Sequence, residues 1–219
     1  MINKLVDDFT GALAGLKDGD TVLCGGFGAV GEPLALIEAI IEFGARDLTL
    51  VCNNAGTGLA GIAALLKAGC ARKLICSYPR SSDPQVIDEL YPAKKIELEI
   101  VPQGTLSERM RAAGAGIGGF FTRVGAETLL AESKETRAID GQLYVFEQPL
   151  PGDFALIRAQ RADRWGNLVY RKSARNFNPV MAMAGKITVA QVSEVVELGT
   201  LDPEAIATPG IFVDRVVVV

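Results

Sequence analysis

Short apolar runs at Thr21–Cys24, Leu48–Cys52, Lys73–Ser77 and Ile96–Val101 alternate with segments of helical pattern through the first half of the chain. That alternation is the strongest constraint on the fold. A strand followed by a helix crosses back over the sheet before the next strand begins, so neighbouring strands run parallel and helices cover both faces. The helical segments are residues 3–16, Pro33–Phe43, Gly61–Ala68, Pro84–Tyr91 and Leu106–Ala113. In the first of these, Leu5, Phe9, Leu13 and Leu16 share a face. Pro33 suits a first helical turn, where a missing N–H costs nothing, and Gly44 supplies a stop.

Beyond residue 113 the pattern changes. Five glycines among residues 114–125 predict a flexible connector or a loop that another part of the chain approaches closely. After Gly141, the segments Leu143–Glu147, Phe154–Gln160, Leu168–Tyr170, Ile187–Val192 and Phe212–Val219 read as strands. Asp163–Asn167 reads as a turn, and helical periodicity largely disappears. The expected class is α/β, with a largely parallel sheet and a β-richer C-terminal third. No repeat, low-complexity tract or charge block divides the chain, so residues 1–219 read as one domain.

With 49% hydrophobic and 22% charged residues, the composition is that of a globular protein. The net charge of −4 opposes a general electrostatic grip on nucleic acid or on an anionic membrane. No apolar run approaches the ~18 residues that mark a membrane span. Acids near the N-terminus, at Asp7 and Asp8, do not suit a signal peptide, and a cytoplasmic protein is expected. Cys24, Cys52, Cys70 and Cys76 form no C-x-x-C pair and sit among apolar neighbours, as buried thiols in a reducing compartment do. The absence of histidine says more. It removes Ser-His-Asp and Cys-His catalysis, imidazole base chemistry and histidine-containing zinc sites. No metal site is expected. Chemistry must come from carboxylates, amides, lysines, backbone donors or a second subunit.

Residues 26–31, Gly-Phe-Gly-Ala-Val-Gly, match the G-x-G-x-x-G dinucleotide pattern. A nicotinamide site also needs an acid at the end of the second strand for the ribose hydroxyls. That strand runs into Asn53-Asn54, and the nearest acid, Asp47, precedes it. The nicotinamide reading is therefore disfavoured.

The longer run Asp18-Gly-Asp-Thr-Val-Leu-Cys-Gly-Gly-Phe-Gly-Ala-Val-Gly-Glu-Pro33 resembles the signature of the α subunit of family I coenzyme A transferases. That signature is an Asp or Asn, a Gly, two free positions, three apolar residues, Gly-Gly-Phe, three free positions, Gly, one free position and Pro. Cys24 takes the third apolar slot. Asn53-Asn-Ala-Gly56, Val101-Pro-Gln-Gly-Thr-Leu106 and Tyr170-Arg-Lys-Ser-Ala-Arg-Asn-Phe177 agree with the same family, and the resemblance covers almost the whole chain. Arg46–Thr49, Asp163–Asn167 and Pro179–Ala184 are most similar to the branch that acts on 3-oxoadipate. One departure bears on the acceptor: many relatives read Pro-Thr-Gly-Tyr-Gly-Thr where this chain has Arg123-Val-Gly-Ala-Glu-Thr128.

The resemblance implies a three-layer α/β/α fold. It implies succinyl-CoA as donor and a 3-oxoacid as acceptor, 3-oxoadipate first, with acetoacetate or a short-chain fatty acid as alternatives. Coenzyme A is then a substrate, and no cofactor is bound permanently. The family's nucleophile is a glutamate in a Ser-Glu-Asn-Gly block of the β subunit, and this chain has no such block. The chain is thus expected to hold no catalytic nucleophile and to need a β-subunit partner, in a heterodimer or heterotetramer. A non-catalytic CoA-binding or assembly subunit is the alternative from another class.

By the same resemblance, Gly25, Gly26, Phe27, Gly28, Ala29, Val30 and Gly31 form a CoA-associated loop. Asn53, Asn54 and Gln103 face the acyl group as amide donors. Read from the residues alone, Asn53-Asn54 cap a turn and Gln103 is a loop residue. Glu32 reads as a structural carboxylate stabilised at a helix start, and neither it nor Glu127 is expected to be a nucleophile. Arg171, Lys172 and Arg175 read as a solvated face, or as a contact with CoA phosphates or the partner. Trp165 reads as a packed turn aromatic.

Overall fold

The computed structural model describes residues 2–219. In chain order the strands are β1 (Thr21–Cys24), β2 (Leu48–Asn54), β3 (Ala71–Tyr78), β4 (Glu97–Ile100), β5 (Phe120–Thr122), β6 (Thr136–Ile139), β7 (Gln142–Glu147), β8 (Gly152–Asp163), β9 (Leu168–Val169), β10 (Gly185–Val196) and β11 (Arg215–Val218). The helices are α1 (Phe9–Ala12), α2 (Leu34–Phe43), α3 (Ile62–Lys67), α4 (Gln85–Leu90), α5 (Gln103–Gly114) and α6 (Asn178–Ala184).

The main sheet has the order β11-β10-β8-β1-β2-β3-β4, and every pair along that path is parallel. β9 folds back antiparallel on β8. Strand periodicity sorts the side chains into two cores. Val22, Cys24, Leu50, Cys52, Leu74 and Cys76 face α1 to α4 on one side. Leu23, Val51 and Ile75 face α5 and α6 on the other. The result is the expected α/β/α layering, with the interior strand β2 buried along its whole length. Cys52 is registered against Cys76, and Cys24 lies next in the row, because Leu23 is registered against Val51.

Chain order runs outward from β1 in both directions, through β2 to β4 on one side and through β8 to β11 on the other. Where it reverses, a crevice opens beyond the carboxyl end of β1 and alongside Arg158–Gln160 of β8, which runs on past β1 to Asp163; open α/β sheets bind ligands at such a point.

The structure corrects several element boundaries. The helix expected over residues 3–16 is confined to Phe9–Ala12, with Asp8 Oδ1 accepting from the Gly11 N–H at 2.7 Å. Leu5 instead bridges Val216 in parallel, and Val6 N donates to Val216 O at 2.9 Å. The exposed edge of β11 offers backbone groups that this segment satisfies, and that gain outweighs continuing the helix. The glycine-rich connector contains β5, which pairs antiparallel with β7 in a second sheet of order β5-β7-β6. Helix α6 interrupts the stretch where helical periodicity had faded. Its signal was Pro179 in the first turn, where a ring that lacks an N–H leaves no bond unmade. The last strand is shorter than Phe212–Val219, because Gly210–Phe212 forms a 3₁₀ turn. Gln103, expected in a loop, begins α5.

Candidate active site

The glycine loop follows β1 directly and sits at the crevice. Gly25 N donates to Leu156 O of β8 at 2.9 Å, so the first loop residue is still held in the sheet. Phe27 and Val30 then exchange backbone hydrogen bonds, Phe27 N to Val30 O at 3.0 Å and Val30 N to Phe27 O at 3.2 Å. That tight reversal puts Gly28 at φ +59, a left-handed conformation that glycine enters without strain. Gly31, at φ +78, also lies so close to the 171–178 segment that an added Cβ would stand 2.6 Å from Ala174 O.

Two amides from that segment brace the loop. Asn176 Nδ2 donates to Val30 O at 2.9 Å. Asn178 is fully buried; its Nδ2 donates to Gly31 O at 3.2 Å and to Ala174 O at 2.8 Å. Its Oδ1 accepts from the Arg158 N–H on β8 at 2.9 Å. One side chain therefore ties the loop to the neighbouring strand. The residues alone assign these asparagines no role; two amides flanking Phe177 ahead of Pro179 are the available signal.

Asn53 and Asn54 are the last residues of β2, both nearly buried. Register places Asn53 beside Gly25 across the β1–β2 ladder. Gln103 opens α5 after β4, and its exposed side chain reaches back so that Nε2 donates to Asn53 Oδ1 at 2.7 Å. Asn54 Oδ1 accepts from the Gly56 N–H at 2.8 Å, which defines the turn after β2. Both carbonyl oxygens are thus occupied. The Nδ2 groups of Asn53 and Asn54 meet no acceptor among the described residues, and neither is sealed off from the surface. Asn54 does brace a turn, as its residue type suggested, while the two amide nitrogens stay available.

Glu32 behaves differently from the expectation. Its carboxylate does not cap α2. It crosses to the next connection, packs against Gly61, and accepts from the Ile62 N–H at 3.2 Å. The residue is only 6% exposed, and burial raises its pKa, with the Ile62 N–H pulling weakly the other way. A stabilising dipole is not the dominant influence; desolvation is. The same burial raises the Cys24 and Cys52 thiols beneath it, and Cys76 is pushed up to about 12. These thiols are held un-ionised, a poor state for a nucleophile.

Arg171 and Lys172 line a cleft of about 370 Å³ together with Arg158 and loop residues Ala29, Val30 and Gly31. Arg175 does not line it. Glu127 and the divergent 123–128 loop line a separate cleft of about 540 Å³ with Gly141, Gln142 and Leu143. That cleft includes neither the glycine loop nor the three amides. Asp47 precedes β2, at the end of the strand opposite Asn53. Trp165 is 42% exposed in the β8–β9 turn. Among the described residues no helix is long and apolar enough to cross a membrane.

Chemically, the sheet end offers neutral N–H donors beside a small-residue loop. Such donors stabilise negative charge on a carbonyl oxygen in a transition state. A family model described as coenzyme A transferase matches residues 6–219. The chain is 62% identical over 219 residues to the A-type subunit of 3-oxoadipate CoA-transferase from Pseudomonas putida, covering 100% of this chain and 95% of that one. It is 48% identical over 202 residues to the A-type subunit of a probable succinyl-CoA:3-ketoacid coenzyme A transferase from Bacillus subtilis, covering 92% and 84%. In fold it is similar to an acyl-CoA transferase from E. coli O157:H7 solved as a thioester complex with CoA, at TM-score 0.85 and 24% identity. That alignment covers 100% of this chain but 47% of the other, so this chain spans about half of that protein's length. The chain belongs to the coenzyme A transferase family.

Proposed function

We propose that this chain is the α subunit of a heteromeric, cytoplasmic 3-oxoacid CoA-transferase that moves CoA from succinyl-CoA to 3-oxoadipate. The observation that carries the reading is the 62% identity over the whole chain to a protein named for that activity. The lower identity, 48%, to a relative named for 3-ketoacids puts acetoacetate second as acceptor. Residues 1–219 act as one unit, with coenzyme A as substrate and no permanent cofactor.

In this scheme a β-subunit glutamate attacks the acyl-CoA carbonyl, expelling CoA thiolate and leaving a mixed anhydride. The thiolate attacks the glutamyl carbonyl of that anhydride, which releases the first acid and leaves a glutamyl-CoA thioester. The acceptor acid then runs the same steps in reverse, a ping-pong sequence. Each attack builds charge on a carbonyl oxygen. Asn53 Nδ2 and Asn54 Nδ2, with the second Nε2 hydrogen of Gln103, are the donors for it. Neutral donors suit the task, because a cation there would pair with the attacking carboxylate and blunt it. The glycine loop lets the thioester and the facing partner come close to the backbone.

The test is reconstitution. The purified chain should transfer no CoA until the β subunit is added. The covalent CoA adduct, trapped and mapped by mass spectrometry, should lie on a β-subunit glutamate. A label on this chain, or turnover by this chain alone, would overturn the scheme. Turnover of acetoacetate but not 3-oxoadipate by the pair would reverse the acceptor assignment.

A further inference from the structure

Many basic side chains of this protein are neutralised at home. Lys73, Arg109, Lys134 and Lys186 each meet a carboxylate at 3.1 Å or less. Arg158, Arg171 and Lys172 do not; among the described residues none of the three forms an ion pair. Yet these three converge on a single cleft of about 370 Å³, and no acid lines it. Like charges gathered in a concavity repel one another and focus a positive potential there. In a chain of net charge −4, that grouping is not the product of a generally basic surface.

The cleft is also built into the fold. Arg158 belongs to β8, and its backbone N–H is held by Asn178 Oδ1, while Asn178 Nδ2 holds Gly31 O of the opposite wall. The strand that carries one cation and the loop that faces it are thereby fixed to each other. Ser173 and Ser193 add hydroxyl donors to the lining. The set of guanidinium, ammonium and hydroxyl donors matches the several oxygens of a phosphate ester.

Position separates this cleft from the amides. Asn53 and Gln103 lie on the β2 side of β1, whereas the cleft lies on the β8 side, with the glycine loop between them. Coenzyme A has the same division: a thioester at one end, phosphates at the other, and an uncharged pantetheine arm joining them. A short dicarboxylate has no such arm with which to cross the loop. We propose that Arg158, Arg171 and Lys172 form the subsite for the phosphates of coenzyme A, with the pantetheine arm passing over the glycine loop toward Asn53. This rests on the transferase function proposed for the chain.

The experiment compares two donors, succinyl-CoA and succinyl-pantetheine, which carry the same reacting thioester with and without phosphates. The reconstituted pair is assayed with the wild-type chain, with Arg171→Gln/Lys172→Gln, and with Arg158→Gln. The two changes in the double variant lie on exposed side chains, and the third sits on β8 as an independent check on folding. The expected result is a preference for succinyl-CoA over succinyl-pantetheine, in kcat/KM, that falls by about 10-fold or more in each variant, as lost charge-assisted hydrogen bonds require. A preference that persists in the variants overturns the subsite, as does a double variant that no longer assembles with the β subunit, which would make these cations interface residues. Titration of adenosine 3′,5′-bisphosphate into the full chain, followed by calorimetry, decides the matter even if the pair transfers no CoA. Binding by wild type that is lost in the double variant supports the subsite. No binding by wild type, or equal binding by both, refutes it. Absent turnover alongside retained binding would refute the transferase function only.

Discussion

Gln103 Nε2 stands 2.7 Å from Asn53 Oδ1, and that hydrogen bond determines which way the Asn53 amide points. With its oxygen engaged, Asn53 keeps Nδ2 free of any acceptor among the described residues, so in the proposed scheme Gln103 would serve both as a donor and as the residue that orients another donor. Gln103→Ala should therefore lower kcat by ~10²-fold, the usual cost of one lost oxyanion contact. Asn53→Ala removes the donor itself and should cost at least as much. Gln103 is exposed, so assembly and thermal stability should hold. Steady-state kinetics and size-exclusion chromatography of the reconstituted pair check this; an active Gln103→Ala enzyme would reduce the residue to a helix start.

Glu32 links the glycine loop to the start of α3 through a buried carboxylate without a cationic partner among the described residues. Its folded-state pKa lies above the ordinary 4.5, so between the unfolded and folded values the native state binds the proton more tightly. Stability then falls as pH rises through that window and levels off above it. Glu32→Gln keeps an acceptor for the Ile62 N–H and removes the ionisation. The melting temperature of the variant relative to wild type should rise from pH 4 to pH 8. A constant difference would mean that the carboxylate contributes only its hydrogen bond.

Within the loop, Gly28 and Gly31 make different demands. At Gly28, φ is +59 but nothing lies within 4 Å of an added Cβ, so the constraint is backbone conformation alone. Gly28→Asn should be tolerated, while Gly28→Val should destabilise by about 1–2 kcal/mol, because a β-branched residue resists the left-handed region. Gly31 combines φ +78 with an Ala174 carbonyl oxygen that would stand 2.6 Å from an added Cβ, so even Gly31→Ala should cost more than Gly28→Ala. Denaturant melts of the variants would rank them, and the reverse order would place the strain elsewhere.

The parallel sheet was legible because its strands are buried on both faces and read as unbroken apolar runs, as Leu48–Cys52 does. Long-range pairing was not legible. Leu5 fits a helical face by spacing, and only the vacant edge at Val216 turns it into a bridge. Phe120–Thr122 hid among glycines because its partner, Val145–Glu147, lies far along the chain. At the site, residue identities were readable from Asn53, Asn54 and Gln103, but not their mutual contact, which depends on β2 and α5 meeting across the sheet end. Glu32 was misplaced because spacing along one helix cannot show a side chain crossing to the next connection. The pairing of Arg158 with Arg171 and Lys172 was hidden for the same reason; β8 and the 171–178 segment meet only in three dimensions.

A last relationship holds the small sheet to the large one. Arg109 of α5 donates to Glu99 of β4 at 3.1 Å and lies 3.8 Å from Glu147 of β7, whose other oxygen accepts from Lys134 at 2.6 Å. Lys73 of β3 closes the chain on Glu99 at 2.8 Å. Burial alone would raise the Glu99 pKa, but hydrogen bonds from Lys73 and Arg109 bring its carboxyl below the ordinary range. The two ends of the network differ in burial: the Glu147 side chain is 4% exposed, whereas that of Glu99 is 35% exposed. Truncating a partner is costly where a charge is left buried and small where water can replace the partner. Arg109 also donates to Gln148 O at 2.9 Å, so it secures both the carboxylate and the backbone that follows β7. Arg109→Met leaves Glu147 paired with Lys134 but removes the hydrogen bonds to Glu99 and Gln148 O, and should destabilise by about 2–3 kcal/mol. Lys73→Met should cost about 1 kcal/mol or less. Hydrogen exchange should localise the Arg109→Met loss to β5, β6 and β7, leaving β1 and β2 protected. Uniform loss of protection across both sheets would show instead that the small sheet does not open independently of the main core.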